Sequence, residues 1–95
     1  FRLGWGRINK GTESSIDGVN TAVIEAGVRD FNSTTKTNLF NWVYQLPANG
    51  GTPLPRAMRL VGEYYKRSDS RGPWADNPGS VNTTADKTCR RAYHI

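Results

Sequence analysis

Thr52 stands directly behind two glycines and ahead of two prolines in the run "ANGGTPLPRAM", residues 48 to 58. Glycines at 50 and 51 allow positive φ and a close backbone approach to a ligand, and the threonine after them presents a hydroxyl where a helix starts. Two readings follow. Either Gly50-Gly51 ends one helix and Thr52 caps the next, or the loop holds something. Pro53 and Pro55 both fall within a first helical turn, so neither breaks the helix. A phosphate loop is the weaker reading: the Gly-x-x-x-x-Gly-Lys-Ser/Thr pattern is absent, and "LGWGRIN" lacks the third glycine of a dinucleotide fingerprint.

The other chemistry-bearing residues are sparse. Asp69, Asp76 and Asn77 miss the spacing of a calcium loop, and Arg71 among them opposes a cation. Glu13, Asp17, Glu25 and Glu63 form no acid/base pair and read as solvated charges. The single cysteine, Cys89, has no internal disulfide partner, and with the single histidine, His94, it cannot build a zinc site. A hydrolase using that pair needs the two within hydrogen-bond reach, yet residues five apart on one strand point to opposite faces. Trp74, in "RGPWADNPG", is either an anchor for a partner or a cover folded back on its own domain.

The elements that would position these residues follow from periodicity. Phe1, Leu3 and Trp5 alternate along a half-buried strand. "KGTESSIDG" reads as a turn-rich loop, and "NTAVIEAGVRDF" as a second strand closing a long antiparallel hairpin. Ser33 or Thr34 then caps a helix with Leu39, Phe40, Val43 and Leu46 on its apolar face, stopped by Pro47. A second helix follows Thr52, with Leu54, Ala57, Met58, Val61 and Tyr65 as its buried stripe and Tyr64 on the edge. Residues 68 to 88 form a long loop, and "CRRAYHI" begins another strand. The order strand, strand, helix, helix, strand is an α/β pattern with a crossover, and it predicts neighbouring strands on both sides in a longer chain.

With 95 residues the chain holds one domain at most. It has no apolar run near the roughly 20 residues a membrane span requires. A net charge of +5 raises the question of nucleic acid, but the basic residues are scattered, and the densest groups, Lys66-Arg67 and Arg90-Arg91, are pairs rather than tracts. A small basic nucleic-acid-binding module is the alternative class to a protein-binding one.

"LFNWVYQLPANGGTPLPRAM" resembles the segment of von Willebrand factor A domains in which a helix leads into a Gly-Gly-Thr loop, the second of three loops of a metal-ion-dependent adhesion site. More narrowly, "RLGWGRINKGT", "NGGTPL", "VGEYYKRSDSRGPWADNPGS" and "CRRAYHI" together resemble the A-type domain of the PilY/PilC family, large proteins of the tip and biogenesis of bacterial type IV pili. The resemblance covers nearly the whole chain. It implies that residues 1–95 are one partial, Rossmann-like von Willebrand factor A domain lacking its first and last parts. It implies a non-enzymatic role in pilus assembly and surface adhesion, at the extracellular bacterial surface, with minor pilins and a surface or host receptor as partners. Thr52 then corresponds to the threonine of the adhesion site, on a backbone flexed by Gly50 and Gly51. The cation would be Mg²⁺ or Ca²⁺ in the full domain. The Asp-x-Ser-x-Ser motif of that site is absent from this chain, so the resemblance implies one ligand here and the others elsewhere.

Overall fold

Alternation at Leu3 and Trp5 produces the first strand, β1 (Arg2–Gly6), in the computed structural model, which describes residues 1–48, 50–80 and 91–95. The elements after it are β2 (Ser14–Ile16), β3 (Val19–Thr21), β4 (Ile24–Asp30), α1 (Ser33–Tyr44) and α2 (Leu54–Tyr65). β1 pairs antiparallel with β4 in the register Leu3 to Arg29 and Trp5 to Ala26, as the long-hairpin reading expects. The register shifts on both sides of Trp5, and each shift places an extra residue on β4. Such bulges increase local twist.

The expected loop between these strands contains a second antiparallel pair, β2 with β3. Asp17 and Gly18 join them at φ 55° and 82°. Two successive positive φ values are what a tight two-residue hairpin requires, and Asp-Gly supplies them at little steric cost. Between β3 and β4 the Ile24 N–H donates to the Ala22 carbonyl at 2.7 Å across Val23, whose φ is 70°. A buried β-branched residue in this conformation is strained, and Val23 holds it while its carbonyl accepts from the Arg7 N–H at 2.9 Å.

α1 is capped one residue earlier than its sequence suggests. Asn32, rather than Ser33 or Thr34, is extended at the N-cap, and its side-chain oxygen accepts from the Thr35 N–H at 3.0 Å. The expected apolar face is also displaced: Phe40, Val43 and Leu46 are exposed, while Thr35 is buried and Trp42 half-buried. α2 is rotated similarly. Leu54 and Met58 are 51% and 52% exposed, and the inward line is Ala57, Leu60, Val61 and Tyr64. Tyr64, expected at the edge, is 4% exposed. Its large ring gains more from burial than the shorter Leu54, which lies in a first turn already constrained by Pro55.

The buried apolar residues are Ala22, Val23, Ile24, Ala57, Tyr64 and Ala75. Arginines add much of the long-range cohesion. Arg2 donates to the carbonyls of Ala75 (2.7 Å) and Asp76, Arg56 to that of Lys10 (3.2 Å), and Arg67 to those of Ile16 (2.7 Å) and Arg71 (2.9 Å). Arg2 thereby ties β1 to the segment after α2. The strand expected from Cys89 onward is not realised at Arg91–Ile95, where no strand pairing forms and the residues are exposed, and Cys89 itself lies outside the described residues. The architecture is α/β, with two helices and two antiparallel two-stranded sheets among the described residues.

Candidate functional site

The glycine loop lies between the two helices. Gly50 has φ 96°, and a Cβ there would collide with the Asn9 side chain, so both its backbone conformation and its surroundings demand glycine. Gly51 faces open space. Thr52 is exposed, and its carbonyl accepts from the Leu54 N–H at 2.8 Å. Pro53 takes the N-cap position of α2, and no side chain caps the helix. The expectation that Thr52 caps α2 is therefore corrected. A hydroxyl at residue 52 would bond the N–H of residue 54 or 55; the first is already taken by the Thr52 carbonyl, and Pro55 has none. The Thr52 hydroxyl is left toward solvent without a hydrogen bond among the described residues.

One hydroxyl does not make a cation site. Among the described residues no group of three or more His, Cys, Asp or Glu side chains could hold a metal ion. The loop offers a single hydroxyl oxygen, two residues after Gly50, which lies beside the Asn9 side chain, and four before Arg56, which donates to the Lys10 carbonyl.

A second polar centre forms where the hairpin, β4 and α2 meet. Asp17, with its side chain only 6% exposed, binds the Arg29 guanidinium through both carboxylate oxygens. Tyr64 Oη accepts from the Val28 N–H at 2.7 Å, and the Arg67 guanidinium lies 4.9 Å over its ring. Burial pushes the Tyr64 phenol above its ordinary value, against the opposing effect of the Val28 N–H. The hydrogen bond to Asp17 holds Arg29 still more firmly protonated. Asp17 and Glu25 thus depart from the solvated surface charges expected of them; Glu25 lies 3.1 Å from Arg7 and 3.4 Å from Lys10. The signal for this centre was the Asp17-Gly18 dipeptide between two β-favouring runs, together with the i, i+7 relation of Ala57 to Tyr64.

Trp74 Nε1 donates to the Tyr65 carbonyl at 2.6 Å, and the two rings lie 5.7 Å apart. The indole thus rests on the C-terminal end of α2. Asp69 accepts from the Arg71 backbone N–H and side chain, and this fork holds its carboxyl down to about 2.

By its geometry the chain is a small α/β segment carrying a glycine-flanked hydroxyl and a set of cations paired with groups of its own. Its relatives take the assignment further. It is 44% identical over 68 residues, 72% of the chain, to type IV pilus biogenesis factor PilY1 of Pseudomonas aeruginosa strain PAO1. It is 36% identical over 97 residues, covering 99% of the chain, to the protein of the same name from strain UCBPP-PA14. The chain belongs to the PilY family, of which it represents a segment, spanning 6% and 7% of the length of these two relatives. No family model matches the chain, and no solved structure matches it.

Proposed function

We propose that the chain is a non-enzymatic part of a type IV pilus biogenesis and tip protein at the bacterial cell surface. In this reading it belongs to a von Willebrand factor A-like domain and gives one ligand, the Thr52 hydroxyl, to a metal-ion-dependent adhesion site. The supporting observation is the exposed, unbonded Thr52 hydroxyl on a loop fixed by Gly50, in a chain 44% identical to a segment of PilY1. Mg²⁺ and Ca²⁺ both take oxygen donors, and the remaining ligands come from parts of the longer protein. A coordination position left open would accept a carboxylate from a receptor, with minor pilins the partners in assembly.

Calorimetric titration of Mg²⁺ and Ca²⁺ tests this. The longer protein binds a cation and Thr52→Ala weakens it at least about tenfold, the usual scale for a lost metal-site contact. Tight, Thr52-dependent binding by the 95-residue chain alone would defeat the single-ligand reading. The nucleic-acid alternative finds little support, because Arg2, Arg7, Lys10, Arg29, Arg56, Arg59, Arg67 and Arg71 are engaged with groups of the chain itself. Filter binding to DNA and RNA is expected to show no steeply salt-dependent affinity.

A further inference from the structure

α1 turns an unusual face toward the sheet. Thr35, Asn38 and Trp42, spaced three and four apart on one side of the helix, line a cleft of about 490 Å³ together with Trp5 from β1 and Ser15 from β2. The residue paired with Trp5 across the strands is Ala26, and it lines the cleft with Gly27, Ile16 and the Asp17–Arg29 pair. The indoles of Trp5 and Trp42 lie 6.3 Å apart and 42° to one another.

Charge and hydrogen bonding narrow what this cleft suits. Its two carboxylates are neutralised, Asp17 by Arg29 and Glu25 by Arg7 and Lys10. The side chains of Asn38 and Ser15 make no hydrogen bond among the described residues. Nor do the indole N–H groups of Trp5 and Trp42, whereas that of Trp74 is bonded to Tyr65. The cleft therefore combines aromatic surface with unused neutral donors and acceptors, at a volume ordinary for a small-molecule site. The electron-rich faces of indoles attract polarised C–H groups, and amide, hydroxyl and indole N–H groups complement hydroxyls. A cation would want an unpaired carboxylate, an anion a free guanidinium, and a purely apolar ligand would leave Asn38 and both N–H groups desolvated.

We infer that this cleft is a binding site for a neutral saccharide of one or two rings, stacked against Trp5 and Trp42 and hydrogen-bonded by Asn38 and Ser15. It involves no cation and stands apart from the Thr52 reading.

The test uses lactose and N,N′-diacetylchitobiose, with tetramethylammonium chloride as the contrasting probe, and follows the three indole N–H signals by heteronuclear NMR. At least one saccharide shifts the Trp5 and Trp42 signals saturably in the millimolar range while Trp74, bonded internally, stays still. Asn38→Ala, a change at an exposed helix position, weakens binding by about two- to tenfold, the worth of one hydrogen bond, with the helix content unchanged by circular dichroism. Trp42→Phe keeps an aromatic ring but removes the N–H, and weakens binding as well. Saturable binding of tetramethylammonium with no response to either saccharide overturns the inference. So does equal movement of all three indole signals. In the longer protein, Trp5 and Trp42 remain open to acrylamide quenching and protected by the saccharide; finding them shielded without ligand would show the protein's own chain filling the cleft and would also overturn it.

Discussion

Removing one oxygen atom from Tyr64 gives the sharpest test of how this chain holds together. Tyr64→Phe keeps the buried ring and its place under the Arg67 guanidinium but deletes the oxygen that accepts from the Val28 N–H. β4 runs through that point, and the bond is part-buried. A fully buried donor left unpaired costs about 1–3 kcal/mol, and a part-buried one falls toward the lower end, about 1 kcal/mol. With a urea dependence of about 1–3 kcal/mol/M for a small protein, a cost of about 1 kcal/mol lowers the unfolding midpoint by roughly 0.3 to 1 M. An unchanged midpoint, with the slope also unchanged, would mean that α2 is not fastened to β4 through this bond.

The same substitution carries a pH signature. Burial raises the folded-state pKa of the Tyr64 phenol above its ordinary value near 10. A raised folded pKa means that the contribution is fully present below the unfolded value and is lost as pH climbs through the folded one. The stability difference between the parent chain and Tyr64→Phe is therefore constant from neutrality to about pH 10 and changes only above it, against the parent. The other tyrosines are common to both proteins and cancel in the difference. A difference that stays flat to the alkaline limit of folding would refute the claim that the phenol is held neutral by its surroundings.

Three further outcomes are expected. Asp17→Asn keeps a residue tolerant of φ 55° but removes the charge that pairs with the part-exposed Arg29, so it costs about 1 kcal/mol, and Asp17→Ala about 1–2 kcal/mol more for the left-handed backbone; equal urea midpoints for the two would refute the turn argument. Gly50→Ala, with positive φ and the Asn9 amide in its way, destabilises by at least about 1 kcal/mol, while Gly51→Ala, in open space, changes the melting temperature little. The Asp69 carboxyl, followed by NMR, titrates at about 2, and Arg71→Gln returns it toward its ordinary value; the depressed value means that its interaction is present at neutral pH and fades as pH falls toward 2.

The β1–β4 hairpin and the existence of both helices were legible in the sequence, because alternation at Leu3 and Trp5 and the Pro47-to-Thr52 punctuation are local signals. What was missed depended on competition between residues. Asn32 outbid Ser33 because an Asn oxygen reaches the Thr35 N–H from an extended residue just outside the helix. The stripe of α2 rotated because Tyr64 found both a backbone donor in β4 and a guanidinium lid, and no helical periodicity encodes those partners. The small hairpin was visible in Asp17-Gly18, but its polar flanks read as loop; the ion pair from its turn to Arg29 is a tertiary reason for its order. At the candidate cation loop, Gly50 was readable as an obligate glycine, whereas the failure of Thr52 to cap α2 turns on Pro55 lacking an N–H three residues away.

The two sides of α1 make different demands. Phe40, Val43 and Tyr44 on one side are exposed apolar groups, and Thr35, Asn38 and Trp42 on the other face the cleft. In an α/β protein an apolar helix face is the one a neighbouring layer covers, and the relatives of this chain are long enough to provide such a layer. Packing on the apolar side would gain about 25 cal/mol for each Å² of apolar surface removed from water. Filling the other side with chain would desolvate Asn38 and two indole N–H groups, each of which then needs a new partner. The cheaper assembly covers Phe40, Val43 and Tyr44 and leaves the cleft beside Trp5 and Trp42 to a ligand that brings its own hydroxyls.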